Sequence, residues 1–182
     1  MTAAVILAAG ASRRMGQPKA SLQFQGESFL ERMVRLLGRF CSPVIVVVRN
    51  GMAVPAGVIP VENPDPERGM LSSLQCGLAS LPAGPDPVVF TPMDYPAVRE
   101  STIAAVCAGA GEIVIPRYQG LRGHPVKVSR KIVDELLALP ATASPKDVMR
   151  AHYANYVDVD DPGAVRDVDE PADYEELLRS AC

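Results

Sequence analysis

No apolar run in this 182-residue chain is long enough to span a bilayer. The N-terminus has no basic region, and Val5–Leu7 is too short for the apolar core of a signal peptide, so no export signal is expected. Positive charge is not in excess either: the formal net charge is −3, which argues against a general nucleic-acid binder. There is no C-x-x-C pair. The four cysteines, Cys41, Cys76, Cys107 and Cys182, are widely spaced with no histidine nearby, which disfavours a zinc site. The first three sit in apolar segments and read as buried thiols. Free thiols without an export signal point to the cytoplasm. Internal repeats and low-complexity linkers are absent, so a single domain over residues 1–182 is expected. With 48% hydrophobic and 21% charged residues, the chain has enough apolar material for a sizeable core.

Two familiar phosphate loops are missing as well. Gly10 and Gly16 are separated by five residues, not four, and Gln17 follows, so the G-x-x-x-x-G-K-[ST] loop is excluded by spacing. G-x-G-x-x-G is absent, which disfavours a dehydrogenase. The chain instead carries AAVILAAGASRRMGQPK over residues 3–19. Val5, Ile6 and Leu7 suit a strand buried on both faces of a parallel sheet. Side chains then shrink through Ala8, Ala9, Gly10, Ala11 and Ser12, which lets a ligand approach backbone N–H groups. Arg13, Arg14 and Lys19 follow. A bare loop followed by three cations is a receptacle for polyphosphate. A purely structural turn would need the glycine but not the cations.

Downstream, strands alternate with helices. Ser28 and Glu31 form a capping box before an amphipathic helix over 29–40. Val44–Val48 reads as a central strand and residues 58–61 as a weaker one. A polar loop, 63–69, leads into a helix over 70–81, and 82–87 is a loop. The strand at 88–90 is expected to stop at Pro92. Ser101 is expected to cap a helix with Ile103, Val106 and Cys107 inward. Residues 113–115 should form a strand ended by Pro116, followed by an exposed loop over 117–123 and a short strand at 126–128. Ile132, Val133, Leu136 and Leu137 mark a helix ended by Pro140. Ser144-Pro145 starts another short helix. Residues 156–159 suit a short strand, and Pro171 starts the last helix, with Tyr174, Leu177 and Leu178 inward. This alternation predicts a doubly wound α/β sheet.

Residues alone leave several roles open. Asp94 follows the strand at 88–90, where ligands of open α/β sheets bind. It suits either a magnesium ligand or a turn between two prolines. Asp167 and Asp169 alternate toward one side and suit either a metal shell or the acidic start of a helix. Ser73 and Gly69 stand at a helix entrance. His124 is one of two histidines, and a lone loop histidine is ordinarily a surface residue.

The stretch Leu7-Ala8-Ala9-Gly10, Ser12, Arg14-Met15-Gly16, Lys19 resembles the L-A-A-G-x-S-x-R-M-G-x-x-K signature of the MobA-like nucleotidyltransferases, which include the molybdenum-cofactor cytidylyl- and guanylyltransferases. Asp94-Tyr95-Pro96 matches their D-x-P motif and Gly120–Pro125 their G-x-x-G-H-P motif. Asp167, Asp169, Pro171 and Asp173 match a D-x-D-T-P-x-D-like ending, with Glu170 in place of threonine. The motifs run along nearly the whole chain. The resemblance implies a three-layer, mostly parallel Rossmann-like nucleotidyltransferase fold. It implies transfer of a nucleoside monophosphate from a triphosphate to a phosphorylated small-molecule acceptor, with Mg2+ as cofactor. Arg14, Lys19 and Asp94 are implied as catalytic residues, and Asp94 and Asp169 as metal ligands with Asp167 beside them. Leu7, Ala8, Ala9, Gly10, Ser12, Arg14, Lys19, Gly69 and Ser73 would bind the nucleotide. His124, Pro125 and Arg68 would meet the acceptor. His152 is left as a structural residue.

Ala8-Ala9-Gly10 is closer to the cytidylyl enzymes, where guanylyl relatives more often read A-G-G, which favours CTP. Residues 139–145 replace the Gly-Asp-x-Gly run of many cofactor cytidylyltransferases, which leaves the acceptor open between molybdopterin and a sugar or alditol phosphate. A transient contact with a molybdoenzyme is a further implication; neither nucleic acid nor membrane is an expected partner. An inactive nucleotide-binding regulator would be expected to lack an acid or a cation, and Arg14, Lys19, Asp94 and Asp169 are all present.

Overall fold

The computed structural model describes residues 2–84 and 86–180. Pro85, in the expected loop over 82–87, and Cys182 lie outside the described residues. The first buried run forms β1 (Ala3–Leu7). After a short hairpin of β2 (Gln23–Phe24) and β3 (Glu27–Ser28) come α1 (Phe29–Gly38), β4 (Val44–Val48), β5 (Ile59–Glu62), α2 (Met70–Ala79) and β6 (Val88–Pro92). The second half holds α3 (Glu100–Ala108), β7 (Ile113–Tyr118), β8 (Leu121–Arg122), β9 (Val126–Val128), α4 (Arg130–Ala138), α5 (Pro145–Ala151), β10 (Asn155–Asp158) and α6 (Pro171–Ser180).

The main sheet runs β10-β7-β9-β6-β1-β4-β5, with β8 hung on β7. All strands of that row are parallel except β9, which pairs antiparallel with both β6 and β7. The carboxyl ends of β4, β1 and β6 therefore share one edge, with Leu7 in register with Val47 and Pro92. This is the mostly parallel doubly wound sheet that the alternation predicts.

Strand periodicity splits the core into two layers. Val5, Leu7, Ile45, Val47 and Phe90 pack on the face that carries Leu74, Leu78, Ile132 and Leu136 of α2 and α4. Ala4, Ile6, Val44, Val46 and Val89 pack on the other, against Leu30, Met33 and Leu37 of α1 and Ile103 of α3. Ile6, Ile45, Met33, Leu37 and Leu74 are fully enclosed, each stabilising the fold by about 1.5–3 kcal/mol. A third cluster is small and matters most for the site. It joins Met15, Leu22, Phe24 and Phe29 to Val168 and Leu177, with Tyr174 packed alongside. Phe29 and Tyr174 meet edge to face at 5.9 Å, and the Tyr174 hydroxyl donates to Gln23 O at 2.7 Å. Leu178, expected inward, is 41% exposed, since α6 turns only one narrow face to this cluster.

Several boundaries differ from the sequence reading. The capping box at Ser28–Glu31 is present in both directions, and Ser144 with Asp147 forms another. Ser101 does not cap α3. The helix starts at Glu100, because the carboxylate of the distant, buried Asp161 accepts the Arg99 N–H at 2.8 Å and the Thr102 hydroxyl at 2.6 Å. Pro116 does not end β7. A proline removes one N–H donor but leaves its carbonyl, which accepts from Gly123 N–H at 2.9 Å, and the chain continues into a hairpin with β8. Likewise β6 runs through Pro92 at its end.

Gly77 marks the tightest helix–sheet approach. A Cβ there would sit 2.4 Å from Val5 Cγ1 and 2.8 Å from Val47 Cγ2. Gly77→Val should therefore destabilise the protein by about 1–3 kcal/mol through overpacking. Urea unfolding checks this: a midpoint unchanged from wild type would mean that α2 does not rest on β1 and β4 this closely.

Candidate active site

Beyond Leu7 the chain leaves the sheet, and Arg49 Nε donates to Ala9 O at 3.1 Å, pinning the loop to the end of β4. Ser12 has φ +51°, and its hydroxyl accepts the Lys19 N–H at 3.1 Å, closing residues 12–19 into a compact loop. Met15 is buried in the third cluster and Gly16 takes φ +72°, so the Met-Gly pair turns the loop and anchors it. Lys19 is nearly buried. Its Nζ lies 2.5 Å from Asp169 Oδ1 and 3.4 Å from Asp94 Oδ2. Arg14 Nη2 donates to Asp169 Oδ2 at 2.5 Å. One lysine thus gathers two carboxylates far apart in sequence.

Burial of Val168 brings Asp169 there. Val168 enters the third cluster, and its N–H donates to Asp94 O at 2.9 Å. Asp173 accepts the N–H groups of Asp169 and Glu170 at 2.9 and 2.8 Å, fixing the entry to α6. Burial raises the Asp94 carboxyl above its ordinary range, and the Lys19 charge only partly offsets this. Burial also pushes Asp169 upward, but Lys19 and Arg14 outweigh it and hold that carboxyl below its ordinary value. Burial raises Tyr95 as well, reinforced by Asp167, Asp94 and Asp169, which keeps its phenol protonated. Asp167 itself is exposed, and its charge reaches the Tyr95 phenol beside Asp94 and Asp169.

Gly10–Arg14, Lys19, Pro66, Glu67, Asp94 and Asp169 line a cleft of about 360 Å³. A wider cleft of about 1030 Å³ lies against the same loop on the side of α1 and includes Ala8, Gly10, Ser12, Lys19 and Arg49–Pro55. Leu7, Ala9, Gly69, Arg68, Ser73, His124, Pro125 and Asp167 line neither. Gly69 has φ +92° between a short 3₁₀ turn (Pro66–Arg68) and α2, a conformation suited to glycine. Ser73 is buried, and its Oγ accepts from Asn63 Nδ2 at 3.0 Å. Arg68 is exposed. The His124 ring packs on Tyr95 at 4.8 Å and on Phe90 at 6.3 Å, its Nδ1 enclosed without a partner. His152 bonds Glu135 at 2.5 Å, away from these residues, as a structural residue would.

Three participants escaped the sequence reading. Arg49 follows β4, and its place at a strand's carboxyl end was the available signal. Asn63, buried after β5, holds the hydroxyls of Ser72 and Ser73. Glu67 reaches Arg13 across the cleft and carried no signal in its own sequence.

The carboxylates suit a divalent cation. Asp94 Oδ1 is buried without a hydrogen-bond partner, an oxygen left over for a hard cation. No group of three or more metal-binding side chains is gathered among the described residues. Mg2+ commonly takes one or two carboxylates and completes its shell with substrate phosphates and water, so two suffice. Arg13, Arg14 and Lys19 face Glu67, Asp94 and Asp169 in this cleft, three cations against three carboxylates. A polyphosphate entering it gains little net positive charge from those residues, and a divalent cation supplies what is missing.

Residues 4–156 match the profile of the MobA-like NTP transferase domain. The chain is 26% identical to the molybdenum cofactor cytidylyltransferase of Escherichia coli (strain K12) over 181 residues, covering 93% of this chain and 92% of that protein. It is 34% identical to a probable molybdenum cofactor guanylyltransferase of Mycobacterium bovis (strain BCG / Pasteur 1173P2) over 122 residues, 63% of this chain and 61% of that protein. Among solved structures, Rv0371c of Mycobacterium tuberculosis H37Rv in complex with manganese superposes with a TM-score of 0.77 at 26% identity, covering 98% of each chain.

Burial holds the His124 imidazole down to about 4, against an ordinary 6.5. The unfolded chain accepts a proton there below pH 6.5, whereas the folded protein refuses it down to about 4, so acid favours unfolding through that window. Stability should fall from pH 6.5 toward 4, and His124→Asn should lose less over that interval. Equal pH slopes in thermal melts of the two proteins would show that the ring is not enclosed in this way.

Proposed function

The chain belongs to the MobA-like NTP transferase family, and on that premise we propose that it moves a nucleoside monophosphate, CMP in preference, from a triphosphate to a phosphorylated acceptor. The whole chain acts as one nucleotidyltransferase domain in this reading. The observation that carries it is the junction of Lys19 with Asp94 and Asp169 beside an open, cation-bearing loop.

An acceptor phosphate oxygen attacks the α-phosphorus, forming a new P–O bond. The bond from that phosphorus to the bridging oxygen breaks, and diphosphate leaves. The attacking group is already an anion, so no strong general base is required. Catalysis is positioning and charge neutralisation. Arg14 and Lys19 hold the charge that develops on departing diphosphate, and the backbone of Gly10 and Ser12 cradles the phosphates. Asp94 and Asp169 hold Mg2+, with Asp167 beside them; when bound, the ion acts as a Lewis acid on the phosphate oxygens.

The base lies against Leu7, Ala8, Ala9, Gly69 and Ser73. Asn63 supports that role by fixing the Ser73 hydroxyl. Ala8 and Ala9 leave room for close approach of a small base. A carbonyl facing the amino group of cytosine rejects uracil, because two acceptors would be left unmatched. His124, Pro125 and Arg68 meet the acceptor, with molybdopterin the first candidate and a transient molybdoenzyme contact as a consequence. A cytoplasmic location fits this role; among the described residues no helix is long and apolar enough to cross a membrane.

A diphosphate-release screen crossing CTP, GTP, ATP and UTP with molybdopterin and sugar phosphates tests the reaction. CTP should be the best donor; a faster GTP or ATP reaction would overturn the base assignment and leave the phosphate and metal roles standing. In the same assay Asp94→Asn and Asp169→Ala should keep the fold and lose most turnover, about 100-fold or more. Near-normal rates in either folded variant would remove that residue from the centre. Arg14→Ala and Lys19→Ala should lower kcat more than they raise the KM of the triphosphate, as expected for contacts made in the transition state.

A further inference from the structure

Of the six charged residues that line the smaller cleft, Arg13 and Glu67 have no part in the chemistry described above. The Glu67 carboxylate is nevertheless engaged on both oxygens. Arg13 Nη2 donates to Oε2 at 2.5 Å, and Arg49 Nη2 lies 3.4 Å from Oε1. Those guanidiniums come from two loops, one after β1 that lines both clefts and one after β4 that lines the wider cleft beside it. Arg49 is held in place by its bond to Ala9 O, so it stays beside the loop whatever Glu67 does. Glu67 itself rides on the 3₁₀ turn Pro66–Arg68, not on a strand end. It is the acid that a change in one turn can withdraw.

Carboxylates and phosphates compete for the same forked guanidinium donors. Arg13 is well exposed, and Arg49 and Glu67 are each only about half-buried, so the hold of Glu67 on the two arginines is weak enough to be exchanged. We infer that Glu67 is an internal competitor for the polyphosphate: its carboxylate occupies Arg13 and Arg49 in the free protein, gives them up to the outer phosphates, and returns as diphosphate leaves. The inference rests on the reading of residues 10–19 as a polyphosphate loop and adds what sets the affinity of that loop. A competitor of this kind weakens triphosphate and diphosphate alike, which keeps product from lingering on the cations. It leaves the chemical step unchanged, because ground and transition states are affected equally.

The sign of the effect separates this role from the obvious others. A carboxylate that ligates the metal or a ribose hydroxyl strengthens nucleotide binding, so its loss weakens it. Loss of a competitor strengthens binding. Calorimetric titration of inorganic diphosphate, with Mg2+ and without it, into wild type, Glu67→Gln, Arg13→Ala and the double variant reads this directly: loss of a metal ligand weakens binding when Mg2+ is present, and loss of a competitor strengthens it in both conditions. Glu67→Gln should bind diphosphate about fivefold more tightly, the effect of removing one exposed charge contact. In the Arg13→Ala background the same change should give about twofold or less, because Arg49 alone then remains contested. Unchanged or weaker binding by Glu67→Gln, or no binding by either protein, overturns the inference. So does a full fivefold gain without Arg13, which would mark a general field effect. The titration needs no acceptor, so it is decided even if the transfer screen finds no substrate; that outcome would count against the proposed reaction alone.

Discussion

The Lys19 ammonium lies between the carboxylates of Asp94 and Asp169, and the geometry of the cleft follows from that contact. Two acids brought close in a partly buried place repel each other and resist ionisation. A cation between them removes that obstacle, which is how Asp169 keeps its charge despite partial burial. Asp94, more deeply enclosed and farther from the ammonium, is pushed toward its neutral form. The two acids are therefore unequal: Lys19 and Arg14 outweigh burial at Asp169, whereas burial outweighs Lys19 at Asp94. A divalent cation would add positive charge beside Asp94.

Apolar packing delivers these groups. Lys19 reaches the centre because Met15 is sunk in the third cluster and Ser12 closes the loop behind it. Asp169 reaches it because Val168, its neighbour, is buried among the same side chains. Asp94 stands where β6 ends, in the row that also ends β1 and β4. The strands give a fixed edge, and a small satellite core holds the Lys19 loop and the Asp169 segment against it. Surface ion pairs such as Arg13–Glu67 then adjust a site whose frame is set by burial, since exposed pairs contribute only about 1 kcal/mol or less.

Much of this was legible in the sequence because the signals were local. A β-branched run bounded by turn residues reads as a buried strand, and Ser28 with Glu31 reads as a capping box from adjacent residues alone. That a bare, cation-bearing loop follows β1 was legible because its small residues and cations lie within one short stretch. What escaped depends on contacts across the chain. Asp161 sets the start of α3 from about sixty residues away, so Ser101 looked like the cap. Pro116 looked like a terminus because one lost donor weighs more in a sequence than in a strand already paired with β9 and β10. Arg49 and Glu67 join the site only through the sheet's topology, which sets the end of β4 beside the loop of β1.

The central claim is that Asp94 and Asp169 jointly hold a divalent cation together with the triphosphate. Electron paramagnetic resonance of Mn2+ titrated into the protein with CTP tests it without an acceptor. The account predicts a ternary complex in wild type whose metal affinity falls at least about tenfold in Asp94→Ala and again in Asp169→Ala, each still folded. Equal Mn2+ affinity in wild type and both variants would contradict it.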